Sequence, residues 1–188
     1  MPTSLRVFAA RSGSFKVRAG TRRPSGLAKR ALTIVEKSLG PDHPDVSGRL
    51  TILALLLKNQ GHYAEAEPHY KRALAIREKA LGSDHHSVGI EVNNLALLYN
   101  NQGRYGEAER FHKRALAIAE RDLGPDHPDV GTYLNNLAGM YFKQRNWARA
   151  VDFWRSSTGV TIRRAQRGTS DLGRALRTTR GCDNRRRG

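Results

Sequence analysis

The feature of this sequence that most constrains its fold is an internal repeat with a period of 42 residues. The segment LGPDHPDV begins at Leu39 and recurs unchanged at Leu123, and the variant LGSDHHSV lies midway between them at Leu81. In the same register, KRALTI at Lys29 becomes KRALAI in each of the next two copies. Repeats of this length are typical of stacked supersecondary units, because one unit alone cannot bury its apolar face.

The pattern within one copy predicts two helices. Apolar residues follow the i, i+3, i+4, i+7 spacing of a buried helical stripe at Val92, Leu95, Ala96 and Tyr99. Gly103 then suits the left-handed residue that ends a helix, and a second apolar stripe follows it. Since the connection is short, the two helices are expected to be antiparallel, and the chain to be all-α with about seven helices.

The linker with its Asp-His pair predicts a helix boundary rather than a metal site. Glycines are expected to end one helix and the aspartates after them to cap the next: Gly40, Gly82 and Gly124, then Asp42, Asp84 and Asp126. The neighbouring histidines belong to different copies, about 10 Å apart if each copy adds the thickness of one helix pair. Zinc needs its ligands about 2 Å from one centre, so no metal site is predicted.

The repeat resembles a known family. The spacing of the tetratricopeptide repeat (TPR) consensus is matched by Val92, Leu95, Ala96, Tyr99, Ala108 and Ala115. The period and the LGPDHPDV linker look like the kinesin light chain variety, over residues 27–155. The resemblance implies a right-handed superhelical solenoid of antiparallel helix pairs. It also implies a protein–protein interaction scaffold that binds a peptide or helix of a partner in its concave groove, which the first helix of each pair lines.

The repeats divide the chain into three parts. Residues 1–26 are expected to form a basic, disordered arm, residues 27–160 the TPR array, and residues 161–188 an Arg-rich tail with one short helix from Asp171 to about Thr178. The array is read as a half repeat at 27–40 and repeats at about 41–82, 83–124 and 125–160. Its first helix lacks a hairpin partner, so its apolar face needs cover from the amino-terminal segment, from self-association or from a longer chain.

The family resemblance places a set of polar side chains in the groove. Four asparagines are expected to hydrogen-bond a peptide backbone, because each offers both a donor and an acceptor: Asn93, Asn94, Asn135 and Asn136. The further groove candidates are Asn100, Asn101, Lys58 and Lys143. The alternative is that Asn94 and Asn136 bridge adjacent helices. Together with Arg49, the two lysines favour an acidic peptide.

The remaining residues give no sign of chemistry. No nucleophile–base arrangement, phosphate loop or paired acidic motif is found, so the chain is predicted not to be an enzyme and to need no cofactor. Trp147 and Trp154 are expected in the core of the last helix, with a partly exposed anchor as the alternative for Trp154. Arg145 stands where Gly61 and Gly103 stand in the other copies, which predicts a less favourable turn.

The net charge of +16 lies mainly at the two ends of the chain. Residues 1–26 hold six Lys or Arg and no acid, and residues 161–188 hold nine Arg against two Asp. Association of these ends with nucleic acid or an acidic partner is therefore an alternative function, as is a role as the repeat fragment of a larger signalling or peptidase-like protein.

The location of the protein is predicted from what the chain lacks. No apolar run approaches the roughly 20 residues of a membrane helix, and Cys182 is the only cysteine. The cytoplasm is the expected location, or the mitochondrion if residues 1–26 are a transit peptide.

Overall fold

The computed structural model describes residues 24–183, and the side chains of residues 25–166. This part of the chain consists of seven α-helices, which confirms the predicted all-α fold. Helix α1 spans Pro24–Leu39, and three hairpins follow: α2 (Pro44–Asn59) with α3 (Tyr63–Leu81), α4 (His86–Asn101) with α5 (Tyr105–Leu123), and α6 (Pro128–Lys143) with α7 (Trp147–Asp183). No helix among the described residues is long and apolar enough to cross a membrane.

The helices pack as a stack in chain order. Contacts are most extensive within each hairpin, and α1 packs on α2 as α3 packs on α4 and α5 on α6. Helix α1 therefore corresponds to the second helix of a hairpin. The first helix of that hairpin is not present in the described chain. Small residues at the crossings permit the close approach of the helices, as predicted, because Ala66, Ala108 and Ala150 have no exposed surface.

The helix boundaries differ from the prediction in the residue that caps them. In each linker a histidine accepts, through Nδ1, the backbone N–H two residues on, at 3.1 to 3.2 Å; these are His43, His85 and His127. The predicted capping role of Asp42, Asp84 and Asp126 was wrong, because the histidine takes the N-cap position and the aspartate lies one residue before it. Each aspartate instead pairs with a base 37 residues later, as in Lys79–Asp42 at 2.9 Å and Arg121–Asp84 at 2.8 Å.

The turns inside the hairpins need a residue with positive φ. Gly61 and Gly103 supply it, with φ of 81° and 75°, and Arg145 adopts a φ of 60° at the same place in the last hairpin. A side chain is strained in this region, so the backbone agrees with the expectation of a less favourable third turn, whose effect on stability stays a prediction. The linker glycines also have positive φ, and Gly82 and Gly124 end α3 and α5 as predicted.

The two ends of the array differ from the predicted boundaries. Helix α1 begins at Pro24, inside the predicted arm, since proline suits the first helical turn. Helix α7 continues across residue 160 to Asp183, so the short helix predicted in the tail is part of a longer one. No proline interrupts this segment, and Val160 is buried against Gly131 of α6. The rest of the predicted arm and residues 184–188 lie outside the described residues.

Candidate interaction surface

The first helices of the hairpins line the inner side of the stack. Short side chains suffice to join them: Thr51 donates to Glu91 at 2.9 Å, and Asn136 donates to Asn93 at 3.0 Å. The second helices are joined by long side chains instead, as where Arg114 reaches Glu78 at 2.6 Å. Helices α4 and α6 also touch directly. The exposed surface of α2, α4 and α6, here called the inner face, is therefore on the concave side.

The inner face exposes large apolar side chains beside the predicted polar groove residues, and of these only Ile52 was expected in the groove, in one row with Asn94 and Asn136. Ile52, Leu55 and Ile90 are 47%, 42% and 40% exposed. In α2 the buried stripe is formed by Leu50, Leu53, Ala54 and Leu57. Ile52 and Leu55 fall outside this stripe, and that was the available signal for a surface role.

Asn93 lies behind the inner face rather than on it. Only 8% of the residue is exposed, and its Oδ1 accepts hydrogen bonds from Asn136 Nδ2 at 3.0 Å and from His112 Nδ1 at 3.1 Å. His112 is fully buried, and burial lowers its pKa to about 4, so the ring is neutral at pH 7 with the proton on Nδ1. Asn136 thus bridges adjacent helices, as the alternative interpretation expects.

The other predicted groove residues lie at different depths. Asn100 is only 8% exposed, and the half-buried Asn94 donates to Glu91 of its own helix at 3.4 Å. Lys58 is also half-buried, and burial lowers its pKa. Three candidates are exposed: Asn101, Asn135 and Lys143. Lys143 Nζ lies 3.5 Å from Asn101 Oδ1, and Asn135 accepts from Trp154 Nε1 at 3.1 Å.

The inner face has basic character. Its one acid beyond the first helical turns, Glu91, is 1% exposed, accepts from Thr51, and lies 2.9 Å from Arg77 Nε. Burial raises the pKa of Glu91, against the lowering effect of Thr51 and Arg77. The accessible charges that remain on α2, α4 and α6 beyond their first turns are those of Arg49, Lys58 and Lys143.

A cavity of about 430 Å³ opens at the amino-terminal end of the inner face. Arg49 and Ile52 of α2 line it, together with Val35 of α1 and Arg77 of α3. The cavity combines apolar walls with the guanidinium groups of Arg49 and Arg77 and the carboxylate of Asp45. Because Arg77 is already paired with Glu91, the cavity is suited mainly to an apolar side chain.

Aromatic side chains are exposed at the other end of the array. Phe142 contacts Trp147 and Trp154, with ring centroids 4.9 Å and 5.6 Å apart. The prediction that Trp147 lies in the core was wrong, because 54% of it is exposed and no later helix covers it in the described chain. Trp154 is 36% exposed, which agrees with the anchor alternative. Among the described residues, no three His, Cys, Asp or Glu side chains are grouped to hold a metal ion.

Comparisons with known proteins give consistent results. Two sequence profiles described as tetratricopeptide repeat match the chain, one over residues 26–45 and 48–87 and the other over residues 89–158. No curated protein matches it by sequence.

Solved structures resemble the chain more broadly. The crystal structure of BtubC (BKLC) from P. vanneervenii has 25% identity and a TM-score of 0.65, over 74% of this chain and 55% of that one. A putative kinesin light chain of Podosopora anserina with nearly identical TPR-like repeats has 24% identity and a TM-score of 0.64, over 74% of this chain and 66% of that one. Apo RapI has 20% identity and a TM-score of 0.63, over 78% of this chain and 51% of that one. This chain thus spans less than two thirds of these structures.

Proposed function

The chain belongs to the tetratricopeptide repeat family, in its kinesin light chain-like type, and is a protein–protein interaction scaffold; from this we propose that its inner face binds a peptide or helix of a partner protein. The observation that carries the proposal is the exposure of Ile52, Leu55 and Ile90 on one face of two adjacent helices. Single exposed apolar residues are ordinary on protein surfaces, but a contiguous set of them is typical of binding sites.

The chemistry of the inner face favours a partner segment that is both apolar and acidic. Apolar side chains of the partner would cover Ile52, Leu55 and Ile90, and its carboxylates would lie near Arg49, Lys58 and Lys143. Lys58 is the most favourable of these cations, because its partial burial weakens the competition of water for a carboxylate. Exposed Asn101 adds a donor and an acceptor for the partner's backbone.

The proposed role is reversible binding without catalysis. Helix-to-helix hydrogen bonds of Thr51, Asn93 and Asn136 hold the inner face in place before a partner arrives. A preformed surface loses little conformational freedom on binding, so more of the contact energy appears as affinity.

A peptide-display selection tests the proposal. The full chain is used as bait, beside a variant with Ile52→Asn and Ile90→Thr. The last repeat has these two residue types at the equivalent positions, as Asn136 and Thr132. We expect the wild-type chain to enrich peptides with apolar and acidic residues, and the variant to lose them. Enrichment of the same peptides by both chains would contradict the proposal.

A further inference from the structure

The outward face of α7 carries an exposed apolar stripe. Trp147, Val151, Trp154 and Ile162 are 54%, 41%, 36% and 52% exposed, and Thr158 completes the i, i+4, i+7, i+11, i+15 spacing of one helical face. These five residues are here called the α7 stripe. The corresponding positions of α3 and α5 are mostly buried or half-buried under α4 and α6, although Glu120, at the position of Ile162, is exposed.

The α7 stripe is more apolar than the equivalent face of the internal repeats. Val151 stands where the earlier copies have Glu67 and Glu109, and Ile162 stands where they have Glu78 and Glu120. Solenoids normally carry a polar outer face on their terminal repeats, for solubility. The substitutions at Val151 and Ile162 run in the opposite direction, and Thr158, which replaces Leu74 and Leu116, is the exception. With two tryptophans beside them, the stripe still has the composition of an interface.

A further repeat of the same kind would not fit this surface well. Inside the array, the glutamate of each second helix accepts a hydrogen bond from a tyrosine of the following first helix, as Glu67 does from Tyr99 at 3.1 Å. Glu109 and Tyr141 form the same pair one repeat later. Val151 has no acceptor, so a following helix of this type would bury its tyrosine hydroxyl unpaired.

The α7 stripe is complementary to itself in an antiparallel pair. Its spacing is nearly symmetric about Trp154, so Trp147 of one copy would face Ile162 of the second copy, and Val151 would face Thr158. On the flank of the stripe, Asp152 and Arg155 are exposed and make no ion pair within the described residues. The antiparallel arrangement brings each of these charges beside its opposite on the second copy.

We propose that two copies of this chain associate through the α7 stripe, antiparallel and about a two-fold axis near Trp154. The uncovered face of α1 is a poorer candidate, although Ile34 is 65% exposed, because Arg30 and Lys37 on this exposed side would bring like charges together in a two-fold pair. The α7 stripe adjoins α6, because Trp154 contacts Asn135 and Phe142 there. It lies at the other end of the array from Ile52, Leu55 and Ile90, so the association is tested separately from peptide binding.

Sedimentation and tryptophan emission of the full chain test the association. Trp147 and Trp154 are the only tryptophans, and both lie in the stripe, so dimer formation is expected to shift their emission to the blue as concentration rises. Val151→Glu restores the residue of the internal repeats and is expected to weaken the dimer by at least about tenfold, because the carboxylate would be buried without a partner. Ile34→Glu on α1 is the matched control and is expected to leave the dimer unchanged.

A charge exchange tests the antiparallel register. Asp152→Arg and Arg155→Asp are each expected to weaken the dimer, since each places like charges together, and the double variant is expected to restore it. Misfolding cannot produce such a restoration. The proposal is overturned by a monomer at all concentrations up to about 100 μM. Loss of the dimer in Ile34→Glu, a dimer insensitive to Val151→Glu, or a double exchange that fails to restore it would overturn it equally.

Discussion

His112 Nδ1 donates to Asn93 Oδ1 at 3.1 Å, and one repeat later Trp154 Nε1 donates to Asn135 Oδ1 at the same distance. In both hairpins a ring N–H of the second helix is joined to an asparagine of the first. The earlier pair is buried and the later one is exposed. The same bond therefore contributes to stability to different extents at the two places.

The first prediction compares these two asparagines. Asn93→Ala leaves the buried His112 N–H and the Asn136 amide without their acceptor, and is expected to lower the free energy of unfolding by about 1–3 kcal/mol. Asn135→Ala is expected to cost less than this, because water replaces the lost partner of Trp154. Urea unfolding followed by circular dichroism measures both. Equal losses would show that burial does not increase the contribution of this hydrogen bond to stability.

The second prediction concerns pH. Burial lowers the pKa of His112 to about 4 in the folded chain, from an ordinary value of 6.5. The unfolded chain therefore binds this proton at a higher pH than the folded chain does. The stabilising contribution is complete above pH 6.5 and is lost as pH falls towards 4, by on the order of 3 kcal/mol.

The control for this pH dependence is His112→Tyr. Tyrosine already occupies the equivalent position of the preceding repeat, as Tyr70. Unfolding free energies are measured between pH 4 and 7 for both chains. Each chain gives a slope of unfolding free energy against pH, and the difference between the two slopes is assigned to His112. Parallel slopes would show that His112 is protonated as easily in the fold as outside it.

The third prediction concerns the strained turn of the last hairpin. Arg145→Gly relieves a non-glycine residue at φ 60° and is expected to raise the free energy of unfolding by about 0.5–1 kcal/mol. The reciprocal change, Gly103→Arg, is expected to lower it. Thermal unfolding ranks the two variants against the wild type, and a destabilised Arg145→Gly would refute the strain argument.

The fourth prediction separates the two residues of one linker. His85→Ala removes the acceptor for the Ser87 N–H and is expected to cost about 1 kcal/mol, whereas Asp84→Ala removes only an exposed ion pair with Arg121. Denaturant unfolding is expected to show a larger loss for His85→Ala. A larger loss of stability for Asp84→Ala would show that Asp84, and not His85, caps the helix.

Much of the fold follows from the sequence because the repeat is nearly exact. The period, the buried stripe and Gly103 together define the hairpins, since each depends only on residues close in the chain. The cap was less predictable: Asp84 and His85 are neighbours that both carry acceptors. The choice between them depends on the extended backbone at His85 and not on composition.

The interaction surface was harder to predict than the hairpins. The pattern identifies the residues of the first helices, but the packing of one repeat on the next decides their depth. Asn93 is covered for this reason, whereas Ile52 is exposed. Trp147 was assigned to the core because it lies seven residues before Trp154, on the same side of the last helix. Only the position of that helix shows that nothing in the described chain covers Trp147.

The measurement that tests the central claim most directly is the affinity of a selected, fluorescently labelled peptide for three chains. These are the wild type, the variant with Ile52→Asn and Ile90→Thr, and the control Ile34→Asn, which changes a more exposed isoleucine outside the inner face. We predict that the double variant binds at least about tenfold more weakly than the wild type, through lost apolar contact, and that the control binds as the wild type does. Equal affinity for all three chains, with each variant folded by circular dichroism, would contradict binding on the inner face.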